Sequence, residues 1–313
     1  MPDTILEIKE VTKKFSHGIV AVNNVSFSIS EGEIFGILGP KNSGKTTILR
    51  LICGLTHMTE GDILIDGVSI KNDFKKAIRD VGALIRSPKL FNHMTCFANL
   101  RYYANFYEGI TDKDISNYAR LLGFEHFLKR RISKCPKEIK QKVGIAQAII
   151  HKPKLLIIDD PFYNLDVREI NTMSSLLKLL AEKEKIALII SSRMLGEMEK
   201  ICNTIGVFNE GNMVELKTMI QLLEGSTNSQ KLKFTVDYPN FAGKIIAEEL
   251  KLKVSLAGNA ILVYTNKADL QIITSTLKKY ELSIFKIEII TKTLEQVFAE
   301  ILERRALSKS WLS

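Results

Sequence analysis

The eight residues Gly39-Pro-Lys-Asn-Ser-Gly-Lys-Thr46 match the pattern G-x-x-x-x-G-K-[S/T]. They lie between an apolar run at Glu33–Leu38 and a helix-like stretch at Thr46–Cys53. No other feature constrains the chain as tightly, because strand, glycine loop and helix in that order build an anion site. Glycines let backbone N–H groups curl around phosphate oxygens, and the N-terminus of the following helix adds partial positive charge. Lys45 is then placed to reach the outer phosphates of a nucleotide, and Thr46 to offer its hydroxyl to Mg2+. The binding set read here is Gly39, Pro40, Lys41, Asn42, Ser43, Gly44, Lys45, Thr46 and Thr47. Asn42 stands where many such loops carry glycine. Asparagine tolerates a left-handed backbone better than most residues, so the loop is expected to keep its shape.

The surrounding pattern sets the fold class. Alternation at Ile5–Glu10 and Val22–Ser30 predicts short strands, and Gly61–Ser69 predicts a hairpin turning at Asp66-Gly67. Lys154–Ile158 and Ile186–Ser191 read as buried strands with a helix over Val167–Lys185 between them, which argues for a mainly parallel α/β sheet. The apolar strand at Leu155 ends in Asp159, a carboxylate able to hold Mg2+ through its water shell. Residues from Phe91 to about Gln147 are mainly helical and densely charged, which places a helical subdomain at about 87–147. A first domain is expected over 1–223 and a turn-rich linker over 224–230. Residues 231–313 fit strand, helix, strand, strand, helix, strand, helix: a small α+β domain capped by a helix over Thr293–Arg305, with Phe298, Ile301 and Leu302 as core contacts.

Composition narrows the partners. The 313 residues carry 44 Lys plus Arg against 35 Asp plus Glu, a net charge of +9. Such a surplus suits nucleic acid, an anionic membrane surface or a phosphate-rich ligand. Between Arg86 and Lys142 there are 12 Lys or Arg against 5 Asp or Glu, so the charge sits mostly in the helical stretch. No aromatic is interleaved in the basic run from 129 to 142 to stack bases, and no nucleic-acid partner is expected. Cys53, Cys96, Cys135 and Cys202 are widely spaced and form no C-x-x-C pair, as in a reduced, intracellular protein. His93, His126 and His151 lack metal-ligand spacing. No apolar stretch approaches the roughly 20 residues that span a bilayer, so a membrane role is expected to be peripheral.

Asp159-Asp160-Pro161 followed by Tyr163-Asn-Leu-Asp166 completes a recognisable pattern. Taken with the phosphate loop, the Gly61–Gly67 hairpin, Gly82-Ala-Leu-Ile, the Lys140–Ala146 segment, Gly211-Asn-Met-Val and Thr293–Phe298, it makes nearly the whole chain resemble the ATP-binding subunits of ABC transporters. The likeness is greatest to bacterial drug and peptide-antibiotic exporters of the bacitracin-resistance type. The resemblance implies an α/β, P-loop NTPase cassette with a RecA-like core, an antiparallel β subdomain and a helical subdomain, plus a small C-terminal α+β accessory domain. It implies ATP and Mg2+ as cofactors, with Thr46 and Asp159 at the metal. Phe15 matches the aromatic that stacks on adenine; the alternative is a core aromatic at a strand end. Also implied are a second cassette, closing head to tail so that each ATP lies between one loop and the other's signature segment, and a membrane permease of about six spans, moved through Ser87–Tyr103. The expected location is cytoplasmic, peripheral on the inner face of the cell membrane.

Four positions depart from that family pattern. Arg86 stands where the family places Gln or Glu, and a guanidinium cannot ligate a cation. Cys135-Pro-Lys-Glu-Ile139 aligns with the signature Leu-Ser-Gly-Gly-Gln, so a serine hydroxyl and glycine donors are absent and the proline removes one N–H. One lost transition-state donor typically costs ~10²–10³ in rate. Asp160 replaces the catalytic Glu and is one methylene shorter; a misplacement of about 1 Å can cost on the order of 10²-fold. Arg193 replaces the switch histidine, keeping a positive charge but not a neutral imidazole. The catalytic set carried over is thus Lys45, Asp160 and Arg193, with the binding groups intact and the hydrolytic groups altered. The expectation is a subunit that binds Mg·ATP and hydrolyses it weakly or only with a partner. An unlike cassette with an intact signature is favoured over a second copy, since a homodimer would impair every site twice. The alternative function is a regulatory cassette, outside transport, that uses ATP binding as a switch.

Overall fold

A computed structural model describes residues 3–16, 18–85, 87–224, 230–265, 269–290 and 293–310. Arg86 and residues 225–229 of the expected linker lie outside the described residues. The chain divides into two compact units, Met1–Thr218 and Met219–Ser313.

In chain order the first unit runs β1 (Thr4–Lys14), β2 (Val20–Ser30), β3 (Ile34–Leu38), α1 (Lys45–Ile52), β4 (Glu60–Ile65), β5 (Val68–Ser69), α2 (Phe74–Arg79) and β6 (Val81–Ile85). It continues with α3 (Cys96–Ala104), α4 (Asp112–Leu121), α5 (Lys137–Ile149), β7 (Leu155–Asp159), α6 (Val167–Glu182), β8 (Ala187–Ser191), α7 (Leu195–Ile201), β9 (Thr204–Asn209) and β10 (Asn212–Thr218). Its larger sheet has the order β10-β9-β3-β8-β7-β6, with all neighbours parallel except the edge strand β10. β3 and β8 are buried at every position and β7 at all but Asp159, which is why they read as unbroken apolar runs.

The second sheet, β2-β1-β4-β5, is antiparallel. Its hairpin turns at Asp66 and Gly67, both with positive φ (47° and 74°), the conformation that Asp-Gly favours. The two sheets share one core, in which Phe27 of β2 stacks on Phe35 of β3 with ring centroids 4.7 Å apart. The stretch expected to be helical contains three helices joined by single 3-10 turns at Glu125–Phe127 and Ile132–Lys134. α4 and α6 each begin with a capping box, Thr111 with Asp114 and Asp166 with Glu169, which satisfies two otherwise orphaned N–H groups.

Two sequence readings are refined here. Cys96 at the start of α3 and Cys135 before α5 are 39 residues apart in sequence, yet their Sγ atoms lie 3.5 Å apart as buried free thiols. Burial pushes the Cys96 thiol up to about 12. His151 Nε2 donates to Val81 O (3.1 Å) and its ring stacks on Tyr107, so it packs β6 against its neighbours.

The second unit consists of α8 (Met219–Glu224), β11 (Gln230–Val236), α9 (Pro239–Glu249), β12 (Lys253–Ala257), β13 (Ala260–Thr265), α10 (Leu270–Lys279), β14 (Ile284–Ile290) and α11 (Leu294–Ser310). From β11 on, the element order is the one the sequence predicts. The strands form one antiparallel sheet in the order β12-β13-β11-β14, the split β-α-β-β-α-β arrangement of ferredoxin-like folds. Phe234, Ile246, Ile261 and Leu277 centre its core. Among the described side chains of α11, Leu294 and Val297 are buried, while Phe298, Ile301 and Leu302 are only half-buried.

β7 carries Asp159 toward the phosphate loop, and Ile157 in its middle is fully buried. Ile157→Ala is expected to destabilise the protein by roughly 2–5 kcal/mol. Chemical denaturation followed by circular dichroism measures it.

Candidate active site

The phosphate loop connects β3 to α1, and its backbone is held from outside. Gly211 N–H donates to Ser43 O (3.0 Å), and Asn23 N–H donates to Gly211 O (2.8 Å), which ties the loop to the β9–β10 turn and to β2. Gly44, the residue before α1, has φ 102°, and a Cβ there would lie 2.4 Å from Ala21 O. Only glycine satisfies both the dihedral and the space. Asn42 has φ 65°, the left-handed conformation its residue type allows. Ser43 is buried, Lys41 and Asn42 are exposed, and Gly39, Pro40, Lys45, Thr46 and Thr47 are half-buried.

Lys45 Nζ donates to Gly39 O (2.7 Å), Pro40 O (2.6 Å) and Ser43 Oγ (3.3 Å), so the ammonium sits over the loop. Burial lowers its pKa; the Asp159 carboxylate opposes that effect and the charge of Arg193 adds to it. Thr46 Oγ1 lies 3.4 Å from Asp159 Oδ2. A hydroxyl and a carboxylate oxygen side by side at the start of a helix suit a hard, oxygen-seeking divalent cation. The loop glycine that a Cβ would block and the paired Thr46 and Asp159 oxygens fit a Mg2+-bound polyphosphate.

The opposite wall comes from the ends of β7 and β8. The parallel register pairs Asp159 with Ser191, and the Ser191 hydroxyl hydrogen-bonds Asp159 Oδ1. Asp160 N–H donates to Ser191 O (2.8 Å), and the Ser192 hydroxyl donates to Asp160 Oδ1 (3.3 Å). Asp160 itself adopts φ 58°. Burial raises its pKa against the Ser192 hydrogen bond, with Asp159 adding to the rise and Arg193 opposing it. Arg193 is exposed and acts electrostatically on both Lys45 and Asp160.

Among the remaining expected residues, Phe15 is 43% exposed, with Lys13 Nζ 5.0 Å from its ring centroid. Its N–H bonds to Ile19 O across the turn that leads into β2, close in sequence to Ala21 at Gly44. Segment 135–139 forms the start of α5. Cys135 and Ile139 are buried, whereas Pro136 and Lys137 are exposed. No side chain caps this helix, and Lys142 is buried in an ion pair with Glu138 at 2.5 Å. Sequence reasoning missed Ser191 and Ser192 as site residues. The signal was present in their position at the end of a buried strand next to Asp159.

The fold and site define a nucleotide-binding cassette of the P-loop class. The family model described as ABC transporter matches residues 22–163. The chain is 31% identical over 298 residues to the uncharacterized ABC transporter ATP-binding protein YhcH of Bacillus subtilis (strain 168), covering 95% of this chain and 96% of that one. It is 27% identical over 299 residues to the bacitracin transport ATP-binding protein BcrA of Enterococcus faecalis, covering 95% and 96%. The dimeric post-hydrolysis state of the ATP-binding cassette MJ0796 bound to ADP and Pi is 25% identical, with a TM-score of 0.62 over 69% of this chain and 99% of that chain. This chain belongs to the ABC transporter family, as an ATP-binding protein. Domains of this family bind ATP, generally with Mg2+, and the family supports ATP hydrolysis in general.

Two outcomes follow from the site. Gly44→Ala should weaken binding of a fluorescent ATP analogue at least tenfold, about 1.4 kcal/mol, with an unchanged circular dichroism spectrum. The raised pKa of Asp160 gives the second. Because the folded state holds its proton more tightly than the unfolded chain, stability falls as pH rises through the folded-state value, and the buried charge is a full penalty above it. Asparagine lacks that charge and tolerates the left-handed backbone. Asp160→Asn should therefore be more stable than wild type at neutral pH, with an advantage that shrinks as pH falls toward the ordinary carboxylate value of 3.8. Denaturant midpoints across that range measure it.

Proposed function

We propose that this chain is the ATP-binding subunit of a bacterial exporter of drugs or antimicrobial peptides, and that it binds Mg·ATP well but hydrolyses it slowly or only with a partner. The observation that carries this reading is an asymmetry within one site. The loop Gly39–Thr47 keeps its glycine-dependent geometry, and Thr46 faces Asp159 as a metal-holding pair. The groups that would position water and sense closure differ from the family pattern at 86, 135–139, 160 and 193. The transport assignment rests on the likeness to relatives such as the bacitracin transport protein.

On this reading Lys45 and the loop N–H groups hold the β- and γ-phosphates, and Phe15 offers its exposed ring to adenine. Thr46 and Asp159 hold Mg2+, which supplies charge neutralisation at the phosphates. Ser191 orients Asp159 by taking one of its oxygens and leaving Oδ2 toward Thr46. Asp160 is the available proton acceptor, but its carboxylate is already hydrogen-bonded to Ser192 and its backbone is left-handed. Arg193 binds the terminal phosphate by charge. Segment 135–139 faces the nucleotide of the second cassette and offers it no serine hydroxyl. The helical region 87–147 meets the permease on the cytoplasmic face of the membrane.

Equilibrium binding and steady-state turnover separate the two halves of the proposal. The chain should bind Mg·ATP, lose that binding in Lys45→Ala, and turn over far more slowly than an intact cassette. A turnover typical of cassette ATPases, abolished by Lys45→Ala, defeats slow hydrolysis. Detergent extraction of the tagged chain with and without Mg·ATP tests the transport half. Co-purification of a protein of about six membrane spans supports it; the chain emerging alone under both conditions favours the regulatory alternative.

A further inference from the structure

β14 is an edge of the C-terminal sheet, paired along one side to β11, with no described strand on its other side. The strand reads Ile284-Phe-Lys-Ile-Glu-Ile-Ile290, with five apolar residues in seven. Phe285 is 69% exposed, and Ile287 and Ile290 are 39% exposed. An exposed apolar edge strand presents a row of unpaired backbone donors and acceptors, and so templates the addition of another strand.

The residue pattern identifies the strand it would take. The sequence is self-complementary about Ile287. If a second copy of β14 runs antiparallel to the first across a two-fold axis at Ile287, that residue meets its own counterpart. Lys286 then stands opposite Glu288 of the second copy, and Glu288 opposite Lys286 of the second copy. Opposed residues of an antiparallel pair share one face of the sheet, so a two-fold axis normal to the sheet must pass through a residue position. Moving the axis one residue either way sets Lys286 against Lys286 or Glu288 against Glu288. Like charges directly opposite are destabilising, whereas opposite charges contribute favourably. Charge complementarity therefore selects one register. The irregularity in the pairing with β11 falls at Ile284–Lys286, which leaves 286–290 in continuous register around the axis. Lys286 and Glu288 already lie together on one face, 2.6 Å apart, with Lys233 3.2 Å from the same carboxylate. The other edge strand, β12, shows no such match: its one charge, Lys253, has no acidic counterpart within the strand.

We propose that β14 is a homodimerisation edge, and that two copies of this chain join their four-stranded C-terminal sheets into one eight-stranded sheet about a two-fold axis at Ile287. An interface of this kind is isologous, each copy using the same residues. It holds two cassettes of the same kind together without nucleotide, and so names a second copy as the partner where the signature segment alone favours an unlike cassette. It stands on the C-terminal unit and does not depend on ATP binding.

Sedimentation equilibrium of the full chain, free of nucleotide and at tens of micromolar, tests the proposal. The expected result is a dimer mass. Ile287→Lys should shift it to the monomer mass with an unchanged circular dichroism spectrum. Lys286→Glu and Glu288→Lys should each weaken the dimer at least tenfold, and the double variant Lys286→Glu/Glu288→Lys should restore it. Lys45→Ala should leave nucleotide-free dimerisation intact, which distinguishes failure here from failure of the ATP-binding reading. A wild-type monomer at these concentrations, a dimer indifferent to Ile287→Lys, or no rescue by the charge swap overturns the proposal.

Discussion

One row of residues across the larger sheet fixes the nucleotide site. The parallel register sets Ile37 of β3 beside Ser191 of β8, Ser191 beside Asp159 of β7, and Asp159 beside Ile85 of β6. Everything proposed to handle the phosphates lies at or just past that row: the loop after Leu38, Asp159 itself, Asp160, Ser192 and Arg193. A shift of one residue along any of these strands moves its end by about 3.3 Å. That is enough to separate Asp159 from both Thr46 and Ser191. The three central strands are packed almost wholly within the protein, so register is set by contacts on both faces of the sheet rather than on one.

The same row brings charge into a partly desolvated space. Lys45 and Arg193 face Asp159 and Asp160, and burial works against the charged forms of both Lys45 and Asp160. The protein offsets this with hydrogen bonds to single oxygens. Ser191 takes one oxygen of Asp159, Ser192 one oxygen of Asp160, and two loop carbonyls take the ammonium. The Ser43 hydroxyl takes the third ammonium donor, and the second oxygen of Asp159 faces Thr46 Oγ1 at 3.4 Å. A polyphosphate with its metal would add negative charge beside Lys45 and positive charge beside Asp159. It therefore relieves the desolvation cost on both sides at once, which is a physical reason for such a site to prefer the metal–nucleotide complex to either component.

Much of this was legible in the sequence because it is local. Strand, glycine loop and helix follow one another within twenty residues, and the Asp-Gly hairpin states its own turn type. The element order of the C-terminal unit was legible for the same reason: each strand and helix carries its own period. The pairing of distant segments was not. Cys96 and Cys135 look unrelated until α3 and the start of α5 are packed together, and no spacing rule predicts their 3.5 Å separation. Ser191 and Ser192 gain meaning only through the pairing of β8 with β7. The helix over Leu294–Ser310 shows the converse limit. Its periodicity was visible, but among its described side chains the buried positions are Leu294 and Val297, because the phase of a helical stripe is set by what it packs on.

On the proposed reading, segment 135–139 lies on a different element from the phosphate loop, which lets binding and turnover separate in one fold. The loop's shape comes from Gly44 against Ala21 and from Gly211 against Ser43, contacts within the first unit. Segment 135–139 belongs instead to the start of α5, where Cys135 and Ile139 are buried and the Glu138–Lys142 ion pair occupies the first turns. On the proposed reading Lys137 and Glu138 stand where the family pattern has glycines, and they leave that packing undisturbed, Lys137 being exposed and Glu138 half-buried in its pair with Lys142. Substituting Gly44 would not, because its Cβ has no space. Physical tolerance thus differs across the site. The phosphate loop cannot drift without losing its fold, while the start of α5 can change its chemistry and keep its structure, so loss of hydrolytic groups without loss of the binding loop is the direction the architecture permits.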